Sequence, residues 1–217
     1  MPANPSPFIF PHPNQANADG LLAMGGDLNP NRIMQAYQNG IFPWYNEGEP
    51  ILWWSPDPRM VLFPNHLKIS KSMKKLFKKE SFTITINQNF EDVIQNCASV
   101  PRHGQNGTWI TKEMKSAYLE LHRMGYAQSV EVWEDNQLVG GLYGIYLEKQ
   151  KVFCGESMFS KVSNASKYAF IWWVQHLQQK GVKLIDCQIY NDHLASLGAE
   201  EINRVDFLNY LGSAEKG

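Results

Sequence analysis

Three polar side chains stand in runs that otherwise read as core: Glu156 in FCGESMF (153–159), and Asp186 and Gln188 in LIDCQIY (184–190). Side chains two apart on a strand share a face, so Asp186 and Gln188 are expected side by side. A core strand would carry Val or Ile there. An acid and an amide in its place cost desolvation unless they are partnered or used, so the chemistry is expected here. Other chemistries have weaker claims. The six histidines (12, 66, 103, 122, 176 and 193) show no ligand spacing, and there is no Walker motif or HExxH. The three cysteines, 97, 154 and 187, form no CxxC pair and read as buried thiols in a reducing, cytoplasmic setting. No metal and no cofactor is expected.

These groups need a scaffold, and 217 residues with 43% apolar and 19% charged content allow a packed core. The net charge of −1 gives no overall pull on nucleic acid, so any such contact must come from a local patch. One such patch is a lysine stripe, Lys71, Lys74, Lys75 and Lys78, at helical spacing, with Ile69, Met73, Leu76 and Phe77 largely opposite. The opening MPANPSPFIF lacks a basic leader and a long apolar run, so no secretory signal is expected. No run reaches the length of a membrane span. With no exposed apolar helix in the pattern, the expectation is a monomer.

Asn29 and Pro30 open a helix that stops before Gly40. A Pro- and Trp-dense stretch follows, and residues 1–62 read as a small irregular N-terminal domain. Residues 63–217 form the second domain. There, Phe82–Ile86 alternates as a strand and Phe90–Ala98 reads as a helix. Thr111 caps a helix that ends at Gly125. Strands over 127–134, 138–148 and 151–159 are joined by hairpin turns, and a helix over 164–179 leads to a strand over 182–189 and short closing helices. This order is α+β, a helix-covered, mainly antiparallel sheet. It is the order of the acyl-CoA N-acyltransferase (GNAT-like) fold, which cradles the CoA pyrophosphate on a glycine-rich turn. The corresponding turn here, SKVSNASK (160–167), has no glycine.

The segments GLLAMGGDL (20–28), AYQNGIFPWY (36–45), LWWSPDPRMVL (52–62), GTWIT (107–111), LVGGLYG (138–144), FCGESMFS (153–160) and LIDCQIYNDHLASLGA (184–199) resemble, in order and over nearly the whole chain, the leucyl/phenylalanyl-tRNA–protein transferase family. The resemblance implies a small N-terminal domain plus a GNAT-like domain. It also implies an enzyme that moves Leu or Phe (also Met) from aminoacyl-tRNA to the α-amine of proteins beginning with Arg or Lys, marking them for N-degron proteolysis. It implies catalytic roles for Asp186, Gln188 and Glu156, with Glu156 and Asn191 meeting the acceptor peptide. Trp44 and Trp109, with Tyr37 and Tyr118 nearby, would hold the tRNA 3′ adenosine. Leu142, Phe153, Met158, Trp173 and Ile185 would form the amino-acid pocket, and the lysine stripe would meet tRNA phosphates. Two departures stand out. The hairpin IYLEKQKV is about two residues longer than is usual in the family, and Leu142 replaces a frequent Met, a volume-conserving swap. The tail beyond Leu211 is also short.

The ester of an aminoacyl-tRNA is already activated, so aminolysis needs neither ATP nor metal. Gln188 can accept an N–H bond from the amine, and Asp186 can polarise that arrangement or act as the base. The leaving ribose hydroxyl can also collect the proton, so the sequence leaves the proton route open. A CoA-dependent N-acetyltransferase on the same fold is the alternative, and the glycine-free turn speaks against it.

Overall fold

The computed structural model describes residues 9–100 and 109–212. The stretch before Ile9, Gly107 and Thr108 of the GTWIT motif, and the tail after Gly212 lie outside the described residues. The N-terminal part holds β1 (Leu21–Met24), α1 (Pro30–Gln38), β2 (Phe42–Pro43) and β3 (Leu52–Trp54), the strands pairing antiparallel in the order β1-β3-β2. It is therefore more regular than the Pro- and Trp-rich sequence suggests. Helix α1 starts as expected: Asn29 accepts from the Asn31 N–H, Pro30 takes the first helical position, and Gly40 follows at φ +75°.

The chain then passes through β4 (Arg59–Leu62), α2 (Lys71–Lys78), β5 (Thr83–Ile86), α3 (Phe90–Ser99), α4 (Lys112–Arg123), β6 (Ala127–Glu134), β7 (Gln137–Leu147), β8 (Val152–Ser160), α5 (Ala165–Gln179), β9 (Leu184–Gln188), α6 (Asp192–Ser196), β10 (Glu200–Ile202) and α7 (Arg204–Leu211). Seven of these strands form one sheet, ordered β10-β4-β9-β8-β7-β6-β5. All neighbours are antiparallel except β8 and β9, which run parallel. The α+β expectation holds. The boundary expected after residue 62 does not match the sheet: β4 pairs on both sides with β9 and β10, so its backbone belongs to the larger body.

Alternation along the strands sends side chains to two cores. Tyr143, Ile145, Cys154 and Leu184 pack on the face covered by α1, α3, α4 and α7. Leu142, Phe153 and Ile185 pack on the opposite face, under α2 and α5. The first core joins Ile33, Tyr37 and Trp53 of the N-terminal part to Phe90 and Tyr118, so the two parts share one apolar interior. Two glycines of GGLYG have steric reasons. A Cβ on Gly140 would lie 2.6 Å from the Ala165 Cβ, where α5 crosses β7. One on Gly144 would strike the Phe153 ring at the bulge between β7 and β8. The glycine-free turn before α5 is served instead by Asn164 in the left-handed region, φ 69°.

Candidate active site

Strands β8 and β9 pair only over three positions, Val152↔Leu184, Phe153↔Ile185 and Cys154↔Asp186. Beyond Cys154, β8 continues to Ser160 while β9 ends at Gln188, whose φ is +64°. The two strands part, and a cleft of about 640 Å³ opens at the fork. Glu156 and Gln188 are the first polar residues on its two sides. The left-handed backbone at Gln188 is a conformation that a non-glycine residue holds only when its surroundings enforce it.

The enforcing group is a buried ion pair. The Arg59 Nε donates to Asp186 Oδ1 at 2.7 Å and its Nη2 to Oδ2 at 2.7 Å, a two-pronged fit with both side chains almost wholly buried. The guanidinium also donates to the Gly40 carbonyl at 3.2 Å and lies between the Phe42 and Phe207 rings, 4.9 and 4.5 Å from their centroids. Burial opposes its charge, but Asp186 outweighs burial and the guanidinium pKa is raised. The Gln188 backbone N–H then donates to Asp186 Oδ1 at 3.0 Å. Arg59 thus fixes Asp186, and Asp186 fixes the turn of the chain at Gln188. Asp186 and Gln188 meet through the Asp186 side chain and the Gln188 backbone, and both line the cleft. Of the two roles expected of Asp186, polarising group or direct base, its two-pronged bond to Arg59 and its lack of exposed surface favour the first.

Glu156 is a different carboxylate. Its Oε1 accepts from Gln188 Nε2 at 2.8 Å and its Oε2 from the Tyr118 hydroxyl at 3.0 Å. The Tyr118 hydroxyl donates to Glu156 and also shares a short hydrogen bond with the Tyr37 hydroxyl. Burial pushes the Glu156 carboxyl up, and the bonds from Tyr37, Tyr118 and Gln188 pull it back against a further push from Asp186, leaving it at about 7. Burial, with the nearby Glu156 charge, raises both tyrosines well above their ordinary range, so they remain donors. An ionised carboxylate only accepts, so Gln188 must turn its NH2 towards Glu156, which leaves its carbonyl oxygen for another donor.

Several expected placements change. Tyr37 and Tyr118 have no free ring face: they are 1% and 0% exposed and support Glu156 from α1 and α4. A stacking role for them is therefore corrected. Trp44 is partly exposed on the cleft wall and Trp109 lines it with little exposure. The Trp44 carbonyl accepts from Trp54 Nε1 at 2.7 Å, which fixes the loop. Leu142, Phe153, Met158 and Ile185 line the cleft. Trp173 does not. It stands behind Phe153, ring centroids 5.5 Å apart, and Phe170, one helical turn earlier, takes the lining position. Asn191 lines the cleft and caps α6 by accepting from the Leu194 N–H. Lys71, Lys74, Lys75 and Lys78 are exposed on α2, whose Phe77 stacks on Tyr168 of α5 at 4.0 Å. None of the four lines the cleft. Sequence reasoning missed Arg59 and Phe170. An arginine heading the apolar run RMVLF, which needs a buried anion, was the available signal for the first.

A family model described as leucyl/phenylalanyl-tRNA protein transferase matches residues 61–212, and one for the N-terminal domain of the same protein matches residues 26–57. Proteins named leucyl/phenylalanyl-tRNA–protein transferase are similar over most of their length. That of Christiangramia forsetii is 64% identical, covering 93% of this chain and 95% of its own. That of Flavobacterium johnsoniae is 60% identical, covering 95% and 96%. That of Shewanella halifaxensis is 58% identical, covering 96% and 88%. Among solved structures, a conserved protein of unknown function from Staphylococcus epidermidis overlaps with a TM-score of 0.47 at 10% identity, over 84% of this chain and 68% of that one, a likeness too loose to bear on the site.

Proposed function

The chain belongs to the leucyl/phenylalanyl-tRNA–protein transferase family and is an aminoacyltransferase, and from that premise we propose that it transfers Leu or Phe, and also Met, from aminoacyl-tRNA to the α-amine of proteins beginning with Arg or Lys. The product would enter N-degron proteolysis. The donor, a charged tRNA, puts this work in the cytoplasm, and the protein acts as a monomer. No helix among the described residues is long and apolar enough to cross a membrane. The observation that carries the reading is the hydrogen-bonded pairing of Glu156 and Gln188, 2.8 Å apart, at the strand fork where the cleft opens.

In this reading the Leu or Phe side chain enters the apolar end of the cleft, between Leu142, Phe153, Met158, Phe170 and Ile185, with Trp173 backing the wall. The 3′ adenosine lies against Trp44 and Trp109, and the lysines of α2 meet phosphates of the acceptor stem. The acceptor α-amine, whose ordinary pKa is about 7.7–8.0, arrives partly neutral. Gln188 accepts one of its N–H bonds and aims the lone pair at the ester carbon. The N–C bond forms and the nitrogen becomes positive. Ionised Glu156 takes the proton from the nitrogen, the C–O bond to the ribose breaks, and Glu156 passes that proton to the leaving ribose oxygen, which restores the carboxylate. A base near the working pH is suited to this exchange. The same carboxylate favours a cationic first residue, and Asn191 stands beside it on the acceptor side. Asp186 and Arg59 hold the geometry without exchanging protons.

The test is transfer of radiolabelled leucine from Leu-tRNA to otherwise identical proteins beginning with Arg, Lys or Ala. Label on the first two and not the third is expected; equal labelling of all three contradicts the acceptor assignment.

A further inference from the structure

Gln188 is followed by two exposed apolar side chains on the cleft rim, Ile189 at 45% and Tyr190 at 55%. They project from the chain directly after the residue that aims the amine, where burial would be expected of an isoleucine. Tyr190 is held in place, its hydroxyl donating to Asp192 Oδ1 at 2.9 Å, so its ring is a fixed surface rather than a loose side chain. The charges that act on it are Asp192 and Glu201, both acidic, while Lys167 acts on the neighbouring cleft residue His193.

Resting on the acceptor reading above, we propose that Ile189 and Tyr190 form a subsite for the second and third residues of the acceptor protein, favouring an apolar or aromatic side chain there and disfavouring an acidic one. Two arguments carry it. The first is reach. An extended chain advances about 3.3–3.6 Å per residue. An acceptor whose amine meets Gln188 and whose first side chain meets Glu156 must leave across the residues next to Gln188. The second is charge. Asp192 and Glu201, the charges that act on Tyr190, are acidic and oppose a phosphate backbone, which favours a polypeptide over the tRNA end as the occupant. In the same reading the tRNA end lies on the other wall of the cleft, against Trp44 and Trp109, which line it. An exposed aromatic and a branched aliphatic beside a polar reactive centre also match the composition of peptide-binding surfaces.

The test compares acceptor proteins beginning Arg-Leu, Arg-Phe, Arg-Ala and Arg-Asp, with the wild-type enzyme and with Tyr190→Ser, Ile189→Ser and Tyr190→Phe. For wild type, kcat/KM for Arg-Leu and Arg-Phe is expected to exceed that for Arg-Ala by about fivefold, with Arg-Asp lowest. The two serine variants flatten that order while leaving the KM for Leu-tRNA unchanged. Tyr190→Phe, which keeps the ring, retains most of the preference. Equal wild-type rates on all four acceptors overturn the subsite while leaving the Arg specificity intact. A raised KM for Leu-tRNA in Tyr190→Ser, with the acceptor order unchanged, overturns it in favour of a tRNA contact. Failure of the wild-type enzyme to label any Arg-starting protein overturns the acceptor reading and the subsite with it.

Discussion

Two glutamates on neighbouring regions of one sheet have opposite surroundings. Glu131, on β6, has no exposed surface and takes hydrogen bonds from Thr85 Oγ1 and Ser129 Oγ, both at 2.5 Å, and from the backbone N–H groups of Gln88 and Asn89 at 3.4 Å. Ser129 is on the same strand, but Thr85 belongs to β5 and Gln88 and Asn89 to the turn that starts α3, so Glu131 ties its strand to the neighbouring chain. Glu156, on β8, is bonded by side chains alone, tyrosine hydroxyls at the back and an amide at the mouth of the fork. One carboxylate is enclosed by backbone and hydroxyl donors. The other is left where the sheet opens, with a proton affinity near neutrality. Burial of an acid therefore does not by itself mark a catalytic group; what its donors are attached to separates the two.

The largest effect that would sharpen this comparison is at the anchor between the regions. Arg59→Met leaves Asp186 buried without its cation, and a loss of about 3–5 kcal/mol in unfolding free energy is expected from denaturant titration. A loss within the scatter of surface substitutions would show that the pair is not the anchor. Next is Glu131→Ala, which strips the partner from two hydroxyls and two backbone donors. A loss of about 1–3 kcal/mol is expected, with the KM values for donor and acceptor unchanged in the folded fraction. Smallest in stability is Glu156→Gln. A carboxyl raised from 4.5 to about 7 favours the fold when protonated, and that advantage fades as pH rises through about 7. Removing the charge should therefore cost no stability above pH 7, while acceptor kcat/KM falls. If Glu156→Gln destabilised the protein as much as Glu131→Ala, the distinction between the two glutamates would fail.

Much of the scaffold is legible in the sequence because its signals are local. Asn29-Pro30 and Thr111 cap the helices they were expected to cap, and alternation locates β6 at its observed bounds. The short strands of the N-terminal sheet and β10 carry two to four residues each, too few for periodicity to register. The site is legible in part. Glu156, Asp186 and Gln188 stand out as polar residues in apolar runs, and they do converge. Their division of labour depends on Arg59, 127 positions before Asp186, and on Tyr37 and Tyr118, which reach Glu156 from two different helices. Nothing local in those residues distinguishes a stacking tyrosine from one that gives its proton to a buried acid. Trp173 and Phe170 share the same difficulty: both lie on α5, and only the rotation of the helix decides which one meets the cleft.

The central claim is that Glu156 handles the proton while Asp186 holds the chain. The most direct test is the pH dependence of kcat/KM for an Arg-starting acceptor through the neutral range, in wild type and Glu156→Gln. The account predicts that the acidic limb of wild type rises with two ionisations, Glu156 near 7 and the acceptor amine at about 7.7–8.0, and that the variant keeps only the amine's. An unchanged two-proton limb in Glu156→Gln would contradict it and return the proton to another group.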